Sequence, residues 1–307
     1  MERKGFLGGS DCAAIMGMSR WSTPLQVWAE KTGQIVRPEI DSEACELGKE
    51  LEDYVARRFT RKTGIEVEML LDDKGRRLRH SHKKYPYISC EIDRRVKDKK
   101  IIMECKTASA WKSKEWQGEE IPVEYILQCQ HMMLVTDAPS CWIACLIGNQ
   151  SFVYREIPRD DKLIEVILDK EVDFWENYVL TGIMPVNVNH KDIDTLDELW
   201  QGKTTEEAIL LGDDVNMLIE SRQGLLADVK SVQAGIDDIE AQIKAHLKEH
   251  SQGTTSHYVI NWKEQISKRL DTKRIKAEKP EIYTEYAKDS ICRKMTIKSI
   301  KEGAVNE

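Results

Sequence analysis

The chain has no pair of cysteines at Cys-x-x-Cys spacing, no apolar run long enough to span a bilayer, no leader-like N-terminus and no overall excess of positive charge. Each absence removes a class of protein. The eight cysteines, at positions 12, 45, 90, 105, 129, 141, 145 and 292, lack the grouping of a zinc site or redox dithiol, so reduced thiols are expected. Cys141 and Cys145 alone cannot ligate an iron–sulfur cluster, and none is expected; the two read as core residues of a strand around Trp142 to Ile147. Without about 20 consecutive apolar residues there is no candidate membrane helix. Met1-Glu2-Arg3-Lys4-Gly5 does not read as a signal peptide, so a cytoplasmic protein with no membrane partner is expected.

What is present fits a soluble globular protein with a sizeable core: 307 residues, 41% hydrophobic and 32% charged, longer than the usual single domain. The net charge of −7 conceals an uneven distribution. Tyr258 to Lys301 holds 12 Lys and Arg against 6 Asp and Glu, a local +6 that leaves about −13 on the remainder. A local basic segment matters more for phosphate binding than the global balance.

The chemistry concentrates in Glu91-Ile92-Asp93-Arg94-Arg95-Val96, a charged turn over Lys97 to Lys100, and Ile101-Ile102-Met103-Glu104-Cys105-Lys106. The pattern predicts two short strands in a hairpin. Side chains alternate along a strand, so Glu104 and Lys106 share a face, and Asp93 on the partner strand can project to that same face. Two carboxylates beside an ammonium suit Mg²⁺, which takes hard oxygen ligands and keeps waters and a substrate phosphate. The metal would polarise a phosphodiester while Lys106 orients the attacking water and stabilises developing charge. The bland alternative is a solvated hairpin with surface ion pairs.

Three further segments bear on the choice. In Gly5-Phe6-Leu7-Gly8-Gly9-Ser10-Asp11, Ser10 or Asp11 is an expected N-cap for a helix over Cys12 to Met16, and an open helix N-terminus can take a phosphate, with Arg3 as a clamp; an ordinary capped helix is the alternative. In Glu46 to Phe59, Leu47, Leu51, Tyr54, Val55 and Phe59 follow helical spacing. Glu52 lies off the Leu51 and Val55 stripe, free to face the hairpin or simply solvent. Val123 to Val135 is a largely apolar helix after Pro122, inside which Gln128 and Gln130 need hydrogen-bond partners.

The order of these motifs resembles the phage-type exonucleases of the YqaJ viral recombinase family, related to lambda-type exonuclease within the PD-(D/E)XK nuclease superfamily. The resemblance runs over residues 1–185: the Gly-Gly-Ser-Asp opening, Trp21 to Gly33, Leu51-Glu52, Tyr85-Pro86-Tyr87, Glu91-Ile92-Asp93, Glu104-Cys105-Lys106-Thr107-Ala108, and Tyr125 to His131. It implies an α/β (α+β) fold with a restriction-endonuclease-like core, a mixed central sheet flanked by helices. It implies Asp93, Glu104 and Glu52 as metal ligands, Lys106 as the catalytic lysine, Gln128 as the supporting glutamine with Tyr125 one turn before it, and Arg3 and Ser10 on the 5′-phosphate. Two departures stand out: Arg94 where the family often has glycine, and Cys105 between Glu104 and Lys106 where it favours an apolar residue.

The implied activity is a Mg²⁺-dependent (or Mn²⁺-dependent) 5′-to-3′ exonuclease on linear double-stranded DNA that leaves 3′ single strands for phage-type recombination, inside a bacterial host. The implied partners are duplex ends, a single-strand annealing recombinase and further copies of the chain, in some members closed as a ring trimer. A metal-dependent endonuclease of restriction or repair type, and a non-catalytic DNA-binding or assembly protein on a nuclease fold, are the alternatives. Beyond a nuclease core at 1–185 and a linker at 186–203, residues 204–250 read as a long helix. Leu218, Leu225, Val229, Val232, Ile236, Ile239 and Ile243 form a coiled-coil seam on it, which Gly224 and Gly235 interrupt. A small basic α+β module at 256–301 follows, with strands at Tyr258 to Trp262 and Cys292 to Ile297 and a helix at Pro280 to Ala287.

Overall fold

The computed structural model describes residues 3–36, 42–289 and 293–299, with only the backbone of Arg3. Contacts divide the chain into two units, Met1–Trp200 and Gln201–Glu307. In the first unit, helix α1 (Gly9–Ile15) begins earlier than its sequence suggests: the N-cap is Gly8, not Ser10 or Asp11, and the carboxylate of Asp11 accepts the Gly8 N–H at 2.9 Å. Helix α2 (Pro24–Lys31) opens with proline at its first position, where no N–H is missed, and Thr23 Oγ1 caps the Gln26 N–H. Helix α3 (Glu43–Thr63) is capped by Ser42 and ends at Gly64, whose φ of +74° a side chain would strain.

Strands β1 (Val67–Glu68), β2 (Arg79–Ser81), β3 (Ser89–Glu91), β4 (Arg94–Val96) and β5 (Ile102–Ala108) follow. The expected hairpin forms between β4 and β5, with Arg94 opposite Met103 and Arg95 opposite Ile102. Its turn places Asp98 at φ 59°, a left-handed conformation that aspartate tolerates. The stretch from Glu91 to Val96 is not one strand, however. It breaks at Ile92 and Asp93, so Glu91 ends β3, which pairs with β2, while β4 joins the main sheet. Helix α4 (Val123–Thr136) then crosses over to β6 (Ser140–Ile147), parallel to β5, and β7 (Ser151–Pro158) returns antiparallel. The result is a mixed five-stranded sheet in the order β1-β4-β5-β6-β7; a parallel pair needs such a crossover.

Alternation along β5 decides which layer each residue meets. Met103 and Cys105 pack with Val55, Ala56 and Phe59 of α3 on one face, and Ile102 packs with Leu127, Met132 and Met133 of α4 on the other. Glu104 and Lys106 therefore turn toward α4. Cys141 and Cys145 are buried in β6, as their sequence context predicts. Helix α5 (Asp161–Phe174), capped by Asp160 and continued by a π turn over Trp175–Val179, packs against α4 and α1.

Residues 186–200, expected as linker, belong instead to the first unit. Helix α6 (Ile193–Trp200) buries Leu199 in the cluster of Leu25 and Trp28, and the buried Asp192 accepts a hydrogen bond from Thr23 Oγ1.

The second unit is led by α7 (Asp213–Leu247), which passes through Gly224 and Gly235 without a break. Residues 204–212, expected to be helical, are not. The predicted seam, Leu218 to Ile243, is exposed, and Leu247 is the buried residue of α7. A hairpin of β8 (Gln252–Thr254) and β9 (Val259–Asn261) precedes α8 (Thr272–Glu278) and α9 (Pro280–Tyr286). Described residues 293–299 form no strand, and Cys292 lies outside the described residues.

Candidate active site

The break before β4 sets the position of Asp93. Freed from strand pairing, its carboxylate turns back across the hairpin and Oδ2 accepts the Cys105 N–H at 2.8 Å, which anchors it beside Glu104. Glu104, buried on the α4 side of β5, is held through Oε1 by Lys106 Nζ at 2.5 Å and by Gln128 Nε2 at 2.6 Å. Lys106 also donates to Gln128 Oε1 at 3.0 Å, which closes a triangle of three side chains. Its ammonium lies 5.0 Å from the ring centre of Tyr125, one turn before Gln128 on α4, and that ring stacks on Trp116. Glu52 enters from α3, joined to Asp93 by the guanidinium of Arg77, which donates to both carboxylates.

The electrostatics follow from three acids in little water. Burial, then the neighbouring charges of Glu104 and Glu52, push the Asp93 carboxyl up to about 8, against the smaller opposing effect of the Cys105 N–H. Burial alone would lower Lys106, but Glu104 and then Asp93 outweigh it and hold the ammonium above its ordinary range. Lys106 is thus a fixed cation near neutral pH. Glu52, Asp93 and Glu104 offer carboxylate oxygens, the hard donors a divalent ion takes, so these are the residues that could hold one.

The expected residues Glu52, Asp93, Glu104, Lys106, Gln128 and Tyr125 thus come together. The family model that describes the YqaJ-like viral recombinase domain matches residues 1–139, a span that contains all six. The uncharacterized protein YqaJ of Bacillus subtilis (strain 168) is 35% identical over 303 residues, 98% of this chain and 93% of that protein. The chain belongs to the YqaJ family. In fold, this YqaJ family member is similar to an alkaline exonuclease of Laribacter hongkongensis, LHK-Exo (20% identity, 59% of this chain, 91% of that one, TM-score 0.49). It is also similar to a phage related exonuclease of Haemophilus somnus 129PT (16% identity, 59% of this chain, 96% of that one, TM-score 0.43).

Two site residues of this YqaJ family chain escape a reading of its sequence. In the sequence Arg94 stands out only as a departure from glycine. It begins β4 with no positive φ, and its buried guanidinium donates to Glu52 Oε1 at 2.5 Å, to the Asp93 carbonyl at 2.6 Å and to Asp53 at 3.3 Å. Arg77 carries no signal in the sequence, because Asp72-Asp73-Lys74-Gly75-Arg76-Arg77 has the composition of a solvated turn. Ser10 is exposed on the first turn of α1, one residue after Gly9, whose Cα packs against Gln128 closely enough that an added Cβ would lie 3.1 Å from Cγ. The side chain of Arg3 lies outside the described residues.

Another cluster could be mistaken for a metal centre. Cys12, His131 and Glu171, all buried, bring potential ligand atoms within 4.8 Å of one another. Both ring nitrogens of His131 are already engaged, Nδ1 with Glu171 at 2.8 Å and Nε2 with the Ser89 carbonyl at 3.1 Å. A carbonyl only accepts, so Nε2 carries a proton. Burial opposes a charge on the ring, yet Glu171 beside it more than compensates and raises the His131 pKa. The group is a buried hydrogen-bonded cluster that joins α1, α4, α5 and β3, one turn along α4 from Gln128.

Proposed function

We propose that this chain is a metal-dependent deoxyribonuclease that degrades linear double-stranded DNA from its 5′ ends and leaves 3′ single strands for phage-type recombination. The convergence of Glu52, Asp93 and Glu104 with Lys106 and Gln128 carries the reading, and membership of a viral recombinase family agrees with it. Asp93, Glu104 and Glu52 would hold Mg²⁺ or Mn²⁺, which supplies a polarised phosphoryl oxygen and a water acidic enough to attack. The remaining work falls to the chain. Lys106 keeps its proton and presents an N–H and a full positive charge where negative charge builds on the phosphoryl oxygens. Gln128 holds both Glu104 and Lys106, so it fixes the distance between acid and cation. Tyr125, backed by Trp116, places its ring face against the ammonium. Ser10 at the start of α1, with Arg3, takes the 5′-phosphate and gives the enzyme its need for an end. A single-strand annealing protein and further copies of the chain are the proposed partners, with the basic residues between 258 and 301 contributing to duplex binding.

The deciding experiment uses linear duplex labelled at its 5′ or its 3′ end, with a covalently closed circle alongside, with and without Mg²⁺. Release of 5′-terminal nucleotides from the linear DNA alone, and only with metal, is expected. Cutting of the circle would make the protein an endonuclease. Intact duplex binding without cleavage would make it a DNA-binding or assembly protein.

A further inference from the structure

Two arginines meet the acids of the site, and they are built differently. Arg94 is buried and tied to three separate groups, one of them a main-chain carbonyl. Arg77 stands with 30% of its side chain exposed and donates only to Asp93 Oδ1, at 2.7 Å, and to the two oxygens of Glu52. Its backbone is fixed in a tight loop, bridged to Leu71 and flanked by the Leu78 N–H to Leu70 carbonyl bond at 2.9 Å, whereas its long side chain can turn. The guanidinium thus engages the carboxylate oxygens that the proposed function assigns to a divalent ion.

Formal charge makes the conflict definite. Fully ionised, Glu52, Asp53, Asp93 and Glu104 face Arg77, Arg94 and Lys106, four acids against three bases, a net charge of −1. A divalent ion added to that set with Arg77 in place would leave a net positive charge among partly buried groups, which is costly. If Arg77 leaves as the ion enters, the set is neutral, and the released guanidinium matches the single charge of a phosphodiester. Arg77 is also the one member of the set, among the described residues, held solely by carboxylates that a cation can release, and 30% of its side chain is exposed. A guanidinium matches phosphate as well as it matches carboxylate.

Resting on the assignment of Glu52 and Asp93 as metal ligands, we propose that Arg77 is an exchangeable counter-ion: a divalent metal ion displaces it from Glu52 and Asp93, and the released guanidinium takes a phosphate of the DNA duplex. The exchange lowers intrinsic metal affinity, because the ion must break the guanidinium's hydrogen bonds. It also couples metal to DNA, since each makes room or use for Arg77 in the form the other favours. Arg94, buried on the main chain, stays in place throughout.

The test is calorimetric titration of Mn²⁺ into the full-length, DNA-free protein, wild type against Arg77→Met. Removal of the competing cation is expected to tighten Mn²⁺ binding by about tenfold or more, since charge-assisted pairs are no longer broken on entry. Equal or weaker binding by the variant overturns the proposal. Should Arg77→Met not fold, Arg77→Lys serves: it keeps the charge, cannot fork across both carboxylates, and is expected to bind Mn²⁺ more tightly than wild type, with equal or weaker binding again contrary. Failure of the wild type to bind Mn²⁺ at all would sink the metal-site reading itself, a different outcome from equal affinities. The phosphate half has its own readout. In a Lys106→Met background with Mn²⁺ present, the slope of log duplex affinity against log salt is expected to be about one smaller when Arg77 is also Met. Identical slopes would leave Arg77 off the DNA and overturn that half.

Discussion

At the scale of single residues the site separates groups that hold charge from groups that place it. Lys106 holds its proton against burial because Glu104 and Asp93 lie beside it. Lys106→Ala is therefore expected to reduce cleavage at least about 100-fold, with Mn²⁺ and duplex binding retained, since it removes stabilisation of developing charge and no ligand. Asp93 yields a prediction about pH. Its carboxyl titrates near 8 in the folded protein, pushed up by burial and then by Glu104 and Glu52, against about 3.9 in an unfolded chain. Between these values the folded state holds the extra proton, so the contribution is fully present below about pH 4 and is lost as pH rises toward 8. In EDTA, the stability of wild type relative to Asp93→Asn should fall across that window, and saturating Mg²⁺ should remove the fall. Thermal melts at several pH values would show it, and a constant difference would contradict the burial of Asp93 among acids. The pairing of Glu104 with Lys106 is legible in the sequence because strand alternation puts i and i+2 on one face. Arg77 is not, because a residue that reaches a site from a charged loop has no periodicity to betray it.

At the scale of elements, the hairpin, α3, α4 and β6 follow from patterns of two and of three to four. The break at Ile92 and Asp93 does not, since both flanking strands continue the same alternation and only their different partners, β2 and β5, part them. That break sets the position of Asp93, so the part of the site hardest to foresee is a change of partner, not of residue type. Helix α6 repeats apolar residues at Ile193, Leu196, Leu199 and Trp200, a helical period held to two turns inside a stretch that otherwise reads as linker, and its place is fixed by Leu199 packing with Leu25 and Trp28 of α2. The clasp of His131 with Glu171 pins α4 at the turn after Gln128. Glu171→Gln keeps shape but removes the carboxylate that favours a charged His131 ring, and is expected to cost about 3–5 kcal/mol in urea unfolding if that ring carries its charge in the folded chain. The same variant should lower kcat more than it changes KM, because Gln128 rides on the loosened helix. An unchanged urea midpoint would mean His131 is neutral.

At the scale of the whole molecule, the core, the candidate site and α6 all lie in Met1–Trp200, while α7, the small hairpin and the basic residues lie in Gln201–Glu307. A chain ending at residue 200 should therefore fold and, on the proposed function, cleave. One ending at 185 loses α6 and uncovers Leu25 and Trp28. Loss of buried Leu199 alone is worth about 2–5 kcal/mol, so the shorter chain is expected to melt well below the longer one, by circular dichroism. Equal melting temperatures would show that α6 is an ornament. The charge division leads to a second comparison: without residues 258–307, duplex binding should weaken and its salt dependence flatten. Unchanged binding would turn that segment toward a protein partner.

Among the described cysteines, Cys45 is exposed and the others are buried. With Cys292 replaced by serine, a maleimide dye should react at Cys45 alone. That thiol stands on the first turn of α3, seven residues before Glu52 and so about two turns, or about 10 Å, along the same rigid rod. Fluorescence energy transfer from Cys45 to a dye on one strand of a duplex would then follow the DNA end relative to the acids as cleavage proceeds, and would time the arrival of the end separately from the cut.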